Sequence, residues 1–295
     1  MGLPIAQVDA FTDRPLAGNP AAICVLDGPA DDQWMQAVAS EMNQPETAFL
    51  EQVDPDSPEH GAAAEDDGPR WRLRWFTPVC EVELCGHATL AAAHHLLVDR
   101  GIDARLLWFD TLSGTLSARA LGDGWIQLDF PADPPVETDA PAGLIDALGV
   151  TNAVTVARGR SDWLVEVPSA DDVRAVQPDM AALAGLAEVD RGVIVTAVGD
   201  KLHDVVSRFF APGAGIPEDP VTGSAHTTLA PFWAERLARD DFLAYQASAR
   251  GGVIRVSLRD DRVLLGGQAV TVFQGAFDDD LPRALRNRRT SGTHG

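Results

Sequence analysis

The chain has 295 residues, 45% apolar, 23% charged and 6% aromatic. This excludes a disordered chain, allows a core without staples, and leaves room for two domains or one large one. The net charge of −21, from 44 acidic and 23 basic residues, argues against nucleic acid or anionic membrane as a partner, because the protein's field repels phosphate.

Lys201 is the sole lysine and the other bases are arginine. A GC-rich coding bias accounts for this ahead of salt adaptation. No apolar run approaches the roughly 20 residues of a membrane span. The start, Met1-Gly2-Leu3-Pro4-Ile5, lacks the basic and apolar regions of a signal peptide, so a cytoplasmic protein is expected. Cys24, Cys80 and Cys85 provide no disulfide framework. Cys80, Cys85, His87, His94 and His95 lie close in sequence, but their spacing fits no structural zinc pattern and no metal is expected.

In chain order, strands are predicted at 7–11 and 21–26, joined by the turn-rich 13–20. Residues 31–42 have helical spacing, with Trp34, Met35, Val38 and Ala39 on one face. Short strands follow at 47–50 and 71–76, separated by an acidic, aperiodic loop at 54–70. The Ala- and Leu-rich 86–98 predicts the first long helix, with strands at 105–112, 115–120 and 125–130 behind it. Pro131-Ala132-Asp133-Pro134-Pro135 breaks regular structure and marks a boundary. Beyond it come helix 140–148, strands 153–157 and 162–167, a helical stretch to 187, and strands 192–198 and 205–210. A second long helix spans 223–237, and strands 254–258, 263–265 and 270–274 close the fold. The Arg-rich tail from 281 is expected to be frayed.

An internal echo links the halves. Gly86-His87-Ala88-Thr89-Leu90 opens the first long helix and Gly223-Ser224-Ala225-His226-Thr227 the second. Two similar domains, each built around one helix, would explain this; so would chance in an Ala-rich chain. Helix starts of this kind expose N–H groups that suit an anion such as a carboxylate, although ordinary helix ends look the same. Glu46, between a proline and a short strand, could shuttle protons if buried. His87 could donate to a substrate oxygen or merely cap its helix. Asp219, Thr222 and Ser224 could cap or bind. Cys85 could be a nucleophile or a base at its helix start. Arg250 could reach a second carboxylate or be a surface charge. There is no GxGxxG after a strand, no Walker lysine, no GxSxG and no HExxH.

Taken together, several segments resemble the PhzF-like family of phenazine-biosynthesis isomerases. They are Val8-Asp9-Ala10-Phe11 through Gly18-Asn19-Pro20-Ala21, Glu46-Thr47-Ala48-Phe49, Arg74-Trp75-Phe76-Thr77-Pro78, Glu83-Leu84-Cys85-Gly86-His87-Ala88-Thr89 and Asp219-Pro220-Val221-Thr222-Gly223-Ser224-Ala225-His226. The resemblance covers residues 4–277. It implies the α+β diaminopimelate-epimerase fold: two pseudo-symmetric domains, each a barrel-like sheet around a central helix, with the site in the cleft between them. The domains would be 1–130 and 131–280, with 281–295 a disordered tail.

The resemblance further implies a cofactor-independent, metal-free isomerase, often a homodimer, moving a proton between carbons of a small carboxylate substrate. In the phenazine enzyme that substrate is trans-2,3-dihydro-3-hydroxyanthranilate. Glu46 matches the family's general acid/base, His87 its polarising histidine and Asp219 its aspartate. Gly86, Gly223, Ser224 and Asn19 fall at substrate-binding positions. The epimerase cousins use two thiols, one at each helix start; here Cys85 stands opposite Thr222, which disfavours that two-base reaction. The alternatives are an epimerase or racemase of a small amino or hydroxy acid and, in a different class, a non-catalytic small-acid binding protein.

Overall fold

The structure is a computed structural model that describes residues 2–54 and 68–278. The acidic segment and the tail singled out above therefore lie largely outside the described residues. The chain divides into two compact units. The first contains Met1–Leu16, Pro20–Leu128 and Gln268–Gly295; the second contains Ala17–Asn19 and Asp129–Gly267.

The first unit runs β1 (Pro4–Ala10), β2 (Asn19–Leu26), α1 (Asp32–Met42), β3 (Glu46–Gln52), β4 (Arg70–Phe76), β5 (Glu81–Val82), α2 (Gly86–His94), β6 (Leu106–Thr111), β7 (Gly114–Gly122) and β8 (Trp125–Pro131). β2 lies parallel to β3, a pairing that needs a crossover, and α1 supplies it. Asp31 starts α1 by accepting from the Gln33 amide at 2.9 Å. Trp34, Met35, Val38 and Ala39, the face predicted from spacing, are its buried residues. β4 pairs antiparallel with β3 and parallel with β6, and β6, β7 and β8 continue as antiparallel neighbours.

Every residue of α2 from His87 to His94 is buried. A helix with no solvent face must be enclosed, and α2 packs against β1, β3 and β7. It ends earlier than predicted, passing into a wider turn over His95–Asp99. There His95 Nδ1 lies 2.8 Å from the Asp99 carboxylate, which also accepts from Thr271 Oγ1 at 2.7 Å. His94 Nε2 meets the same hydroxyl at 3.2 Å. These two histidines thus anchor the far end of the helix.

The second unit continues with β9 (Val136–Glu137), α3 (Leu144–Leu148), β10 (Thr155–Arg158), β11 (Asp162–Glu166), α4 (Ala170–Ala175), α5 (Met180–Ala184), β12 (Gly192–Val198), β13 (Val205–Ala211), β14 (Ile216–Asp219), α6 (Gly223–Leu237), β15 (Asp241–Gln246), β16 (Gly252–Arg259) and β17 (Arg262–Gly267). β11 and β12 are parallel, as are β13 and β15; β12–β13, β15–β16 and β16–β17 are antiparallel. α6 packs on β16 and β17. A separate core joins Leu144, Leu148, Val173 and Leu183 from the short helices to Val193, Val195, Val206 and Phe210 from the sheet.

Other expectations change. The stretch to 187 is two short helices, because Pro178 follows an extended Val176 and cannot continue a helix. β15 was not predicted, nor were the short β5, β9 and β14. The last strand, β18 (Ala269–Ala276), pairs antiparallel with β1, so residues from 268 group with the first unit and not with a 131–280 domain. Among the described residues no helix is long and apolar enough to cross a membrane.

Leu90 is fully buried at the centre of α2. Leu90→Ala is expected to cost about 2–5 kcal/mol in urea unfolding, from lost burial and the cavity left behind. A loss below about 1 kcal/mol would show that α2 is not the core element described here.

Candidate active site

β3 and α2 carry the first group of candidates. Glu46 is the first residue of β3, aligned with Ala21 of β2. Cys85 is the N-cap of α2 and Gly86 its first residue. Cys85 has extended backbone and makes no side-chain cap, so its thiol is left to turn toward His87, with Sγ 3.5 Å from Nδ1. On its other nitrogen, His87 Nε2 lies 3.1 Å from Glu46 Oε2. The side chains of His87 and Glu46 are only 7% and 13% exposed, so their attraction is little screened.

Burial pulls the His87 imidazole down, but its contacts with Cys85 and with Glu46 outweigh it and leave its pKa well above the usual value. Burial, then the Glu46 carboxylate, pushes the Cys85 thiol up. Cys85 is therefore a thiol near neutrality, and both neighbours favour the proton on His87. A protonated imidazole has an N–H on both nitrogens.

Glu46, Cys85 and His87 could each offer one ligand atom, all within 4.8 Å of one another. This is a set a soft divalent ion would accept. However, His87 turns different ring nitrogens to its two neighbours, and one ion takes only one of them. The other residues weighed for a metal lie elsewhere: Cys80 is exposed beside Thr77, and His94 and His95 are at the opposite end of α2.

The second group lies in the second unit. Asp219 ends β14, and both of its carboxylate oxygens are engaged. One accepts from Asn19 Nδ2 at 2.8 Å and the other from Thr222 Oγ1 at 2.5 Å. Asn19, fully buried, also donates to the Val221 carbonyl at 2.9 Å. Gln246, fully buried at the end of β15, accepts from the Thr222 amide and donates to the Asp219 carbonyl. Sequence reasoning passed over Gln246. Its signal was the alternation Phe242, Ala244, Gln246, three inward positions of which the last is polar.

Thr222 is the N-cap of α6, Gly223 its buried first residue and Ser224 the half-buried second. The sequence echo is thus a structural one. Each helix starts from an extended N-cap without a side-chain cap, and each has a side chain bonded back to that N-cap's carbonyl. Thr89 Oγ1 donates to Cys85 O at 2.5 Å; His226 Nδ1 lies 2.8 Å from Thr222 O. Burial lowers the His226 pKa to about 4, so it is neutral and donates from Nδ1. Arg250 is no free surface charge: it donates to the Gly18 and Ala17 carbonyls and fixes the backbone that carries Asn19.

The mixed sheet-and-helix chain thus gathers a buried carboxylate, imidazole and thiol at one helix start. The PhzC-PhzF profile, phenazine biosynthesis-like protein, matches residues 8–275, and the chain belongs to that family. It is 47% identical to an uncharacterized isomerase of Halalkalibacterium halodurans over 93% of this chain and 98% of the relative. The crystal structure of a PhzF family phenazine biosynthesis protein from Enterococcus faecalis matches with a TM-score of 0.85 and 38% identity, covering 94% of this chain and 100% of that one. A hydroxyproline epimerase from Agrobacterium vitis shares the fold at a TM-score of 0.55 and 13% identity, over 95% and 93% of the two chains. The protein is an isomerase of the PhzF-like type.

The raised His87 pKa carries a sign. Its charged form stabilises the fold fully below the ordinary value of 6.5, and that contribution is lost as pH rises through the folded-state value. The stability gap between wild type and His87→Gln, from urea unfolding between about pH 6 and about pH 9, should narrow as pH rises. A gap that widens would contradict the assignment.

Proposed function

We propose that the protein catalyses cofactor-independent proton transfer between carbons of a small carboxylate-bearing substrate, with Glu46 as the general acid/base. The observation that carries this reading is the buried contact of Glu46 with His87 at the start of α2. A carboxylate in that position can take a proton from a carbon and deliver it to another. The electron pair left on the substrate shifts along its conjugated system, so the product is an isomer and no redox partner is needed. His87 supplies a fixed positive charge as negative charge moves off Glu46 and onto the substrate. Cys85 keeps Nδ1 of that imidazole engaged and so holds the ring in orientation.

The family resemblance assigns the polar groups of the substrate to Asp219, Gly86, Gly223 and Ser224. Asn19 serves through Asp219, whose carboxylate its amide holds. A binding protein would need anion donors but no base, and the Glu46–His87 pair speaks for the enzyme.

The test is deuterium incorporation from heavy water, read by mass spectrometry. The compounds are trans-2,3-dihydro-3-hydroxyanthranilate and a panel of small amino and hydroxy acids. Glu46→Gln is expected to lose exchange by about 10²–10⁴-fold. Exchange retained in that variant would move the carbon base to another residue. Cys85→Ala should keep exchange but shift the alkaline limb of the pH profile to lower pH, because it removes a contact that favours protonated His87. Abolished exchange in a folded Cys85→Ala would make the thiol itself the base.

A further inference from the structure

Arg191 was not among the candidates, yet its guanidinium stands beside Ser224. It immediately precedes β12, and its Nη1 donates to Ser224 Oγ at 3.1 Å. Its Nε donates to Asp162 Oδ1 at 2.7 Å, and its Nη2 to the other oxygen of the same carboxylate. The Asp162 side chain is completely buried at the start of β11, while 41% of the Arg191 side chain remains exposed. The guanidinium also lies 5.9 Å from the centroid of the Phe209 ring. That ring has its place because residue 192 is glycine: a Cβ there would come within 2.4 Å of Phe209 Cζ.

A two-point hold of this kind fixes the plane of a guanidinium. It is also costly, because burying the Asp162 carboxylate sacrifices its hydration, and such pairs are poor sources of stability. What the arrangement achieves is orientation. One lone pair of Ser224 Oγ is occupied by Arg191, and among the described residues the Ser224 hydroxyl donates to no protein acceptor. Two further N–H groups of Arg191 likewise have no protein acceptor among the described residues.

We infer that Asp162 and Arg191 form a positioning device that fixes Ser224 as a hydrogen-bond donor and makes it selective for an anionic, carboxylate-type group. The inference deepens the proposed function and rests on its assignment of Ser224 to substrate binding. An arginine donating to the hydroxyl forces the hydroxyl to offer its hydrogen elsewhere, and the nearby positive charge favours a carboxylate over a neutral amide of the same shape. Lysine cannot reproduce this, having no planar fork to grip Asp162 while reaching Ser224.

The test is binding, so it is independent of whether Glu46 is the carbon base. Nitrogen-15 NMR of the full chain would follow the Ser224 amide and the Arg191 Nε–H during titration with anthranilate, and separately with its neutral isostere 2-aminobenzamide. Wild type should show saturable shifts with anthranilate and at least tenfold weaker binding of the amide. Arg191→Gln and Arg191→Lys should each lose most of that preference. Ser224→Ala, which leaves the Arg191–Asp162 pair intact, should weaken anthranilate binding about tenfold, and this variant decides the matter if the arginine variants do not fold. No response in wild type, equal binding of acid and amide, or unchanged anthranilate affinity in folded Arg191→Gln or in Ser224→Ala would each overturn the inference. Loss of exchange in Glu46→Gln together with any of these would leave the proposed proton transfer standing and remove only the role of Arg191.

Discussion

A carboxylate and an imidazole can both stay charged inside a protein only if each compensates the other for lost water, and the first unit is arranged around that requirement. Glu46 reaches His87 because β3 is locked in register on both sides, with Ala21↔Glu46 on β2 and Thr47↔Phe76 on β4. A slip of one residue would turn Glu46 to the opposite face of the sheet. His87 is held from below by a helix that is buried on all sides and pinned at its far end through His95, Asp99 and Thr271. Apolar burial of α2 thus maintains the 3.1 Å contact between Glu46 and His87.

Legibility in the sequence followed the physics. α1 was readable to within one residue, because it has one buried face and an aspartate N-cap, the conditions under which helical spacing is informative. α2 lacks a polar face, so its periodicity said little; its composition and the Cys-Gly start marked it instead. Two residues that build the second unit's network were hidden for different reasons. Gln246 is a polar side chain facing inward on a strand, which breaks the alternation that reveals strands, and with it β15 was lost. Arg191 lies 33 residues from its partner Ser224, a separation at which sequence spacing carries no information. Arg250 drew notice through its glycine neighbours, but those glycines lead into β16 and the arginine before them binds the backbone of 17–18.

The pairing of Cys85 with Thr222 at the two N-caps bears on which chemistry the fold retains. The resemblance set this chain beside epimerases that place a thiol at each helix start, one to remove a proton and one to return it on the opposite face. Both positions survive here in the same backbone conformation, extended and without a side-chain cap. Their side chains have been put to other uses. Cys85 contacts His87, and burial keeps it a thiol. The Thr222 hydroxyl donates to Asp219 and accepts from Gln246 at 3.1 Å, so its hydrogen and a lone pair are both committed. An alcohol so held is no base near neutral pH, so Thr222 cannot perform the second half of a two-base inversion. In the proposed reading the acid/base function lies instead with a carboxylate on the neighbouring strand, and the helix starts would orient charge: one through His87, the other through Ser224 with Arg191 behind it.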